Sequence, residues 1–126
     1  MHLYSFEKLE VWKDSINLTV LIYKLTKAFP DEEKFGLTSQ MRRSAVSISS
    51  NIAEGISRST NKDKAHFINL AYSSTMELLN QSIIAEKLNY ISNENYENIR
   101  FLIEAISNKL NALRKHFQTT YQHSLK

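Results

Sequence analysis

Apolar residues recur at intervals of three and four along four long segments of the chain, separated by short polar stretches. The clearest case is a series near the C-terminus: Ile99, Ile103, Ile106, Leu110, Leu113 and Phe117. This spacing places all members on one face of a helix and is typical of helices that pack in bundles. We therefore predict an all-α protein built from four amphipathic helices.

The predicted helices cover residues 6–28, 38–57, 61–89 and 93–118 of a single domain, 1–126, with a loose tail after residue 118. Pro30 ends the first helix, because the residue before a proline disfavours helical geometry. Short connections between helices of similar length favour antiparallel neighbours. The predicted architecture is an antiparallel up-down-up-down four-helix bundle.

Short polar residues mark the helix ends. The expected N-caps are Thr38 or Ser39, Thr60 or Asn61, and Ser92 or Asn93. Asn89 is the expected C-terminal cap of the third helix, because asparagine tolerates the left-handed conformation found there.

Two predicted core faces are broad. The first helix carries one stripe of Leu9, Trp12, Ile16, Val20 and Tyr23, and another of Val11, Leu18, Ile22, Leu25 and Phe29. In the third helix, the core stripe is Phe67, Leu70, Ala71, Leu78, Ala85 and Leu88, widened by Ile68, Leu79 and Ile84.

The second helix lies between the only two glycines, Gly36 and Gly55. Its apolar stripe consists of Met41, Ala45, Ile48 and Ile52. Around that stripe the residues are unusually small, and small residues allow another helix to approach closely. Gly55 is expected to be a weak point within this helix or its end.

A polar stripe on the second helix and one residue of the third form a candidate subunit interface: Arg43, Ser47, Ser50, Asn51, Glu54, Arg58 and Glu77. Serines would permit close approach, and the charges would set the register. One alternative is an ordinary solvated face, on which Glu54 and Arg58 pair for a few tenths of a kcal/mol. Another is phosphate binding by the arginines.

The net charge of +3 is mild, but no acidic residue follows Glu104. A basic C-terminal end can attract phosphate or an acidic partner, although basic residues also suit helix C-termini because of the helix dipole. The candidate nucleic-acid-binding residues are Arg42, Arg43, Arg58, Lys109, Arg114 and Lys115.

Several function classes find no support in the sequence. Without cysteine there is no disulfide framework or thiolate metal site, which fits a cytoplasmic protein. No apolar run approaches the roughly 20 residues of a membrane helix. The Glu-x-x-His pairs of a di-metal bundle are represented by one Asp63-x-x-His66. Because no glycine-rich loop or centrally placed histidine occurs either, we predict no catalytic site, metal, cofactor or small-molecule substrate.

Four segments also resemble a known family. They are FEKLEVW at 6–12, FPDEEKFGL at 29–37, QMRRSAVSI at 40–48 and NIAEGISR at 51–58. Together they resemble the bacterial four-helix-bundle proteins of ribosomal RNA intervening sequences, which are related to the accessory variability protein of diversity-generating retroelements.

The resemblance implies a bundle that assembles as a ring-shaped homopentamer without enzymatic activity. The retroelement relatives bind nucleic acid through a basic surface and partner a reverse transcriptase, whereas the intervening-sequence members have no settled role. We therefore expect a non-catalytic oligomeric scaffold or adaptor. The alternative is an accessory protein that binds RNA or a ribonucleoprotein through a basic surface.

Overall fold

The computed structural model describes residues 1–124, with side chains to residue 120, and contains no strand in that part of the chain. Its elements are a 3-10 turn at Ser5–Lys8, α1 at Glu10–Thr26, a second 3-10 turn at Asp31–Glu33, α2 at Leu37–Ile56, α3 at Asn61–Lys87 and α4 at Asn93–Ser124. The predicted all-α class with four helices is confirmed.

The helices form an antiparallel bundle in which α1 and α3 each pack against both α2 and α4. Helices α2 and α4 are therefore diagonal to each other. The end that carries the α1–α2 and α3–α4 connections is called the upper end below. The lower end carries the α2–α3 connection and the N-terminal turn.

The core follows the predicted stripes of α2 and α4. Met41, Ala45, Ile48 and Ile52 are all buried. In α4 the predicted seam is buried except for the half-buried Leu113. These helices bury one face against both neighbours, as the periodicity predicts.

The predicted core face is too wide in α1 and α3. The buried apolar residues of α1 come from the second stripe, whereas in the first stripe Leu9 and Trp12 only pack against the core and Val20 and Tyr23 are exposed. In α3 the exposed members are Leu70, Ile84 and Leu88. The buried positions of α3 are instead mostly small (Ala65, Ala71, Ser74, Thr75, Ser82 and Ala85). Small residues allow the helices to approach closely, so the larger apolar residues beside them remain exposed at the edge of the helix contact.

Two caps and a C-terminal motif form as predicted. Thr60 and Ser92 accept hydrogen bonds from the N–H groups of Asp63 and Asn95. Asn89 has a φ of 61°, and the Tyr90 N–H reaches the Ala85 carbonyl at 2.9 Å. This is the Schellman arrangement that ends a helix.

The predicted cap of α2 is wrong. The helix begins at Leu37, with Gly36 as its N-cap and no side-chain bond from that residue. Instead, the Glu33 carboxylate accepts the Leu37 N–H at 3.1 Å and the Tyr90 hydroxyl at 2.9 Å. A Cβ on residue 36 would lie 2.6 Å from Glu33 Oε1, so glycine leaves room for this bond. Glu33 thus joins both upper connections, and the hydrogen bond that it accepts from the Tyr90 hydroxyl raises the pKa of Tyr90.

Most helix bounds lie within two residues of the prediction, and two differ by more. The first helix begins at Glu10 because Leu9 is extended, with a φ of −76° and a ψ of 130°. The predicted loose tail is helical to Ser124, and residues 125 and 126 lie outside the described part. No glycine or proline follows Phe117, so no residue there interrupts the backbone hydrogen bonds of the helix.

Gly55 lies inside α2, where this helix is in close contact with α3. A Cβ there would stand 2.8 Å from Phe67 Cβ and 3.4 Å from the Lys64 carbonyl oxygen. Neither atom is the free end of a flexible side chain. The residue is therefore a helix-contact glycine, although the sequence indicated a weak point or an end.

We expect Gly55→Ala to destabilise the bundle. Overpacking costs about 1–3 kcal/mol, which exceeds the gain of about 1 kcal/mol in helix propensity. The matched control is Asn80→Ala on the exposed side of α3, which should stabilise by up to about 0.7 kcal/mol. Urea unfolding followed by circular dichroism measures both, and a gain in stability for Gly55→Ala would contradict the close contact.

We also expect Glu33→Ala to lower the free energy of unfolding by about 1 kcal/mol through the lost helix cap alone. The neighbouring Glu32→Ala is the control, since Glu32 is exposed and does not cap α2. Equal melting temperatures for the two variants would exclude the proposed capping by Glu33.

Candidate interaction surface on helix α2

The side of α2 opposite the core is polar and lined with small residues. Arg43, Ser50 and Glu54 are exposed there, on the face opposite the buried stripe. Glu77 is exposed on α3. These four predicted interface residues are therefore accessible to another molecule.

Ser47 and Asn51 are only half-exposed. The Ser47 hydroxyl lies 2.8 Å from that of Ser74, and Asn51 Nδ2 donates to Ser47 Oγ at 3.0 Å. The bond between Ser47 and Ser74 therefore joins α2 to α3 within one molecule, and Asn51 supports Ser47 from within α2. Ser47 is thus less available to a partner than Ser50.

Arg58 stacks on an aromatic ring instead of pairing with Glu54. Its guanidinium carbon lies 4.5 Å from the centroid of Phe67. Among the described side chains, no ion pair joins Glu54 to Arg58. Arg58, which lies just beyond the end of α2, is therefore held against α3.

Gln81, a polar residue of α3, has an unusual environment. It is 8% exposed, and its Oε1 atom has no hydrogen-bond partner among the described residues. A buried polar atom without a partner costs free energy.

The predicted basic residues do not form one surface. Arg42 donates to Thr26 Oγ1 at 2.9 Å and covers the Tyr23 ring, so it serves the contact with α1. Near the lower end, Lys109 contacts α1 and Arg114 contacts α3, which lie on two sides of α4. Lys115 is exposed and makes no such contact.

Two of these α4 residues already have protein partners. Lys109 pairs with Asp14 at 2.6 Å and Glu10 at 3.3 Å on α1. The hydrogen bond to Asp14 is the main cause that raises the pKa of Lys109. Arg114 donates to Asn69 on α3 at 2.8 Å. These cations are largely committed to holding the bundle.

Sequence reasoning missed an apolar groove at the upper end, between α1 and α2. It holds about 670 Å³ and is lined by Tyr23, Lys34, Phe35, Thr38, Ser39, Arg42, Arg43, Val46 and Ser47. Phe35 is 90% exposed and Val46 is 41% exposed. The signal was present in the sequence, since Phe35 is a large apolar residue within a polar connection. The spacing of apolar residues predicts only a connection between helices there.

The described residues contain no group of three or more His, Cys, Asp or Glu side chains placed to hold a metal ion. His66 of α3 is exposed beside Phe67. No described helix combines the length and apolar character needed to cross a bilayer.

Comparisons with known proteins agree with this architecture. Residues 7–112 match the 23S rRNA-intervening sequence protein family. A crystal structure of a protein with unknown function from the S23 ribosomal protein family of Bacteroides thetaiotaomicron superposes with a TM-score of 0.75 and 26% identity, covering 83% of this chain and 98% of that one. No curated protein sequence matches significantly. The chain thus belongs to the family of 23S rRNA-intervening sequence proteins.

Proposed function

We propose that this protein is a non-catalytic scaffold or adaptor that assembles as a homo-oligomer through the outer face of α2. The observation that carries the proposal is that an exposed polar face of α2, with Arg43, Ser50 and Glu54, lies next to an apolar groove. A lone bundle would leave Phe35, Val46 and Tyr23 in contact with water. Exposed apolar surface bordered by polar residues is typical of protein–protein contact sites.

A non-catalytic function is supported by how the hydroxyl groups are used. The buried hydroxyls of Thr26, Thr75 and Ser82 donate to backbone carbonyls one helical turn earlier. The described histidines, His2, His66 and His116, are exposed. A serine nucleophile needs an adjacent base, and these serines and threonines are instead used in packing.

The ring of five subunits is part of the proposal and rests on the family resemblance. Closed cyclic assemblies are the common outcome when one surface binds a different surface of the next copy. A cytoplasmic location is also proposed, since a chain without cysteine suits a reducing compartment.

We expect native mass spectrometry of the wild-type chain at micromolar concentration to show a pentamer, and Ser50→Trp to disrupt it while leaving the helical content unchanged. Ser50 is exposed, so a large side chain there blocks a partner without entering the core. Asn17→Trp on the exposed part of α1 is the matched control and should assemble normally. A monomeric wild type would reject the proposal.

The variant Ser47→Trp tests the internal contact between α2 and α3, whereas Ser50→Trp tests the surface that faces a partner. Because Ser47 is held between Ser74 and Asn51, we expect this variant to lose about 1–3 kcal/mol of stability by overpacking. Urea unfolding should show this loss for Ser47→Trp and not for Ser50→Trp.

The second candidate function is RNA binding at the lower end. It is favoured by Arg58, Lys64 and Lys115, which the ends of α2, α3 and α4 bring to that region. Two of them lie against aromatic rings, Lys64 over Phe117 and Arg58 over Phe67. Such cations keep their charge and can still contact phosphate.

If RNA binds there, the affinity should fall steeply as salt is raised, because phosphate contacts release counterions. Fluorescence anisotropy with a structured RNA at about 50 mM salt should detect binding, since phosphate contacts are strong at low ionic strength. Lys115→Glu should weaken it more than Lys24→Glu, an exposed change at the opposite end. Undetectable binding of the wild type would exclude this function.

A further inference from the structure

A second exposed aromatic residue lies on the side of the bundle opposite the groove. Phe101 of α4 is 73% exposed, whereas Ile99, Ile103 and Ile106 are buried. By helical periodicity, Phe101 therefore points away from the core. Because α4 is diagonal to α2, this direction is also away from the outer face of α2.

Acidic residues surround Phe101. Glu97 and Glu104 stand four residues before it and three after it, so they flank it on the helix surface. Glu94 precedes them by one turn, and all three are exposed. Arg100 lies beside them and offsets part of this charge: its Nη1 donates to the Tyr96 hydroxyl at 2.6 Å, which is the main cause that raises its pKa, and Glu104 and Glu97 contribute to raising it. We call Phe101, Glu97 and Glu104 the α4 knob.

The groove has the complementary composition. Lys34, Arg42 and Arg43 are among its nine lining residues, and none of the nine is acidic. Its apolar lining comes from Tyr23, Phe35 and Val46. An aromatic ring between two carboxylates matches an apolar groove edged by cations in polarity and in charge.

The two surfaces also lie at similar heights in the bundle. Both α2 and α4 begin at the upper end, at Leu37 and Asn93. With a rise of 1.5 Å per residue, Arg43 lies about 9 Å below the start of α2 and Phe101 about 12 Å below the start of α4. A contact between them would thus join copies side by side with little offset along the bundle axis.

We infer that the α4 knob of one copy docks in the α1–α2 groove of the next copy. This inference rests on the proposed function and specifies which two surfaces meet. The contact is heterologous, because each copy uses the knob on one side and the groove on the other. Heterologous contacts generate a closed ring when the rotation between copies closes and an open filament when it does not. The small axial offset favours the ring.

Complementation between two variants tests the inference. Phe101→Asp removes the knob and keeps the groove, while Arg43→Glu reverses a groove cation and keeps the knob. Both residues are exposed, so the helical content should stay unchanged. Each variant alone should be monomeric at a concentration where the wild type assembles. Mixed in equal amounts, they should form a 1:1 heterodimer, because one knob and one groove remain intact.

Two matched controls should assemble as the wild type does. Ala112→Asp adds a carboxylate to the same exposed side of α4, about 16 Å from Phe101. Lys13→Glu reverses an exposed charge on α1 near the lower end. Native mass spectrometry reads the composition of every sample, including the mixture.

The outcomes separate this inference from the proposed function. If the wild type is oligomeric but either variant assembles normally, or the mixture stays monomeric, the knob-and-groove contact is wrong and the oligomeric scaffold stands. If the wild type is monomeric, both are wrong. Monomeric variants that form the heterodimer on mixing would support both.

Discussion

The close approach of α2 to α3 is the constraint on which the rest of this structure depends. At Gly55 the two helices leave no room for a Cβ, and one hydroxyl pair, Ser47 with Ser74, joins them near the middle. Buried hydroxyls in α3 bond to backbone carbonyls of their own helix, so they pack as small residues without losing hydrogen bonds. The contact between α2 and α3 is therefore built from small side chains whose hydroxyl groups are hydrogen-bonded.

Small residues inside the bundle determine what lies outside it. When alanine and serine occupy the contact positions of α3, its larger residues Leu70, Ile84 and Leu88 remain at the surface. The same holds at the upper end, where Phe35 and Val46 border a groove that no described part of the chain fills. Apolar surface that cannot enter a tightly packed core is then available to a partner, which is why the proposed function is an assembly.

Charge is divided between internal contacts and outer surfaces. Lys109, Arg114 and Arg42 join neighbouring helices within one molecule and contribute little to a continuous basic surface. Two local patches differ in charge: the groove is lined by cations without an acidic residue, and Glu97 and Glu104 flank Phe101. This difference suits binding between copies better than binding to a uniformly charged polymer.

The sequence by itself determined the helical class, the four helices, the core stripes of α2 and α4 and the caps at Thr60, Ser92 and Asn89, because these depend on local periodicity and on hydrogen bonds between near neighbours in the chain. Only the tertiary structure decided which face of α1 is buried, that Gly55 is a contact point, that Glu33 caps α2 while binding Tyr90, and that the basic residues lie apart. Each of these depends on how closely two helices approach and on which one lies alongside. Those distances are set by side chains far apart in the chain, so they are absent from any local pattern.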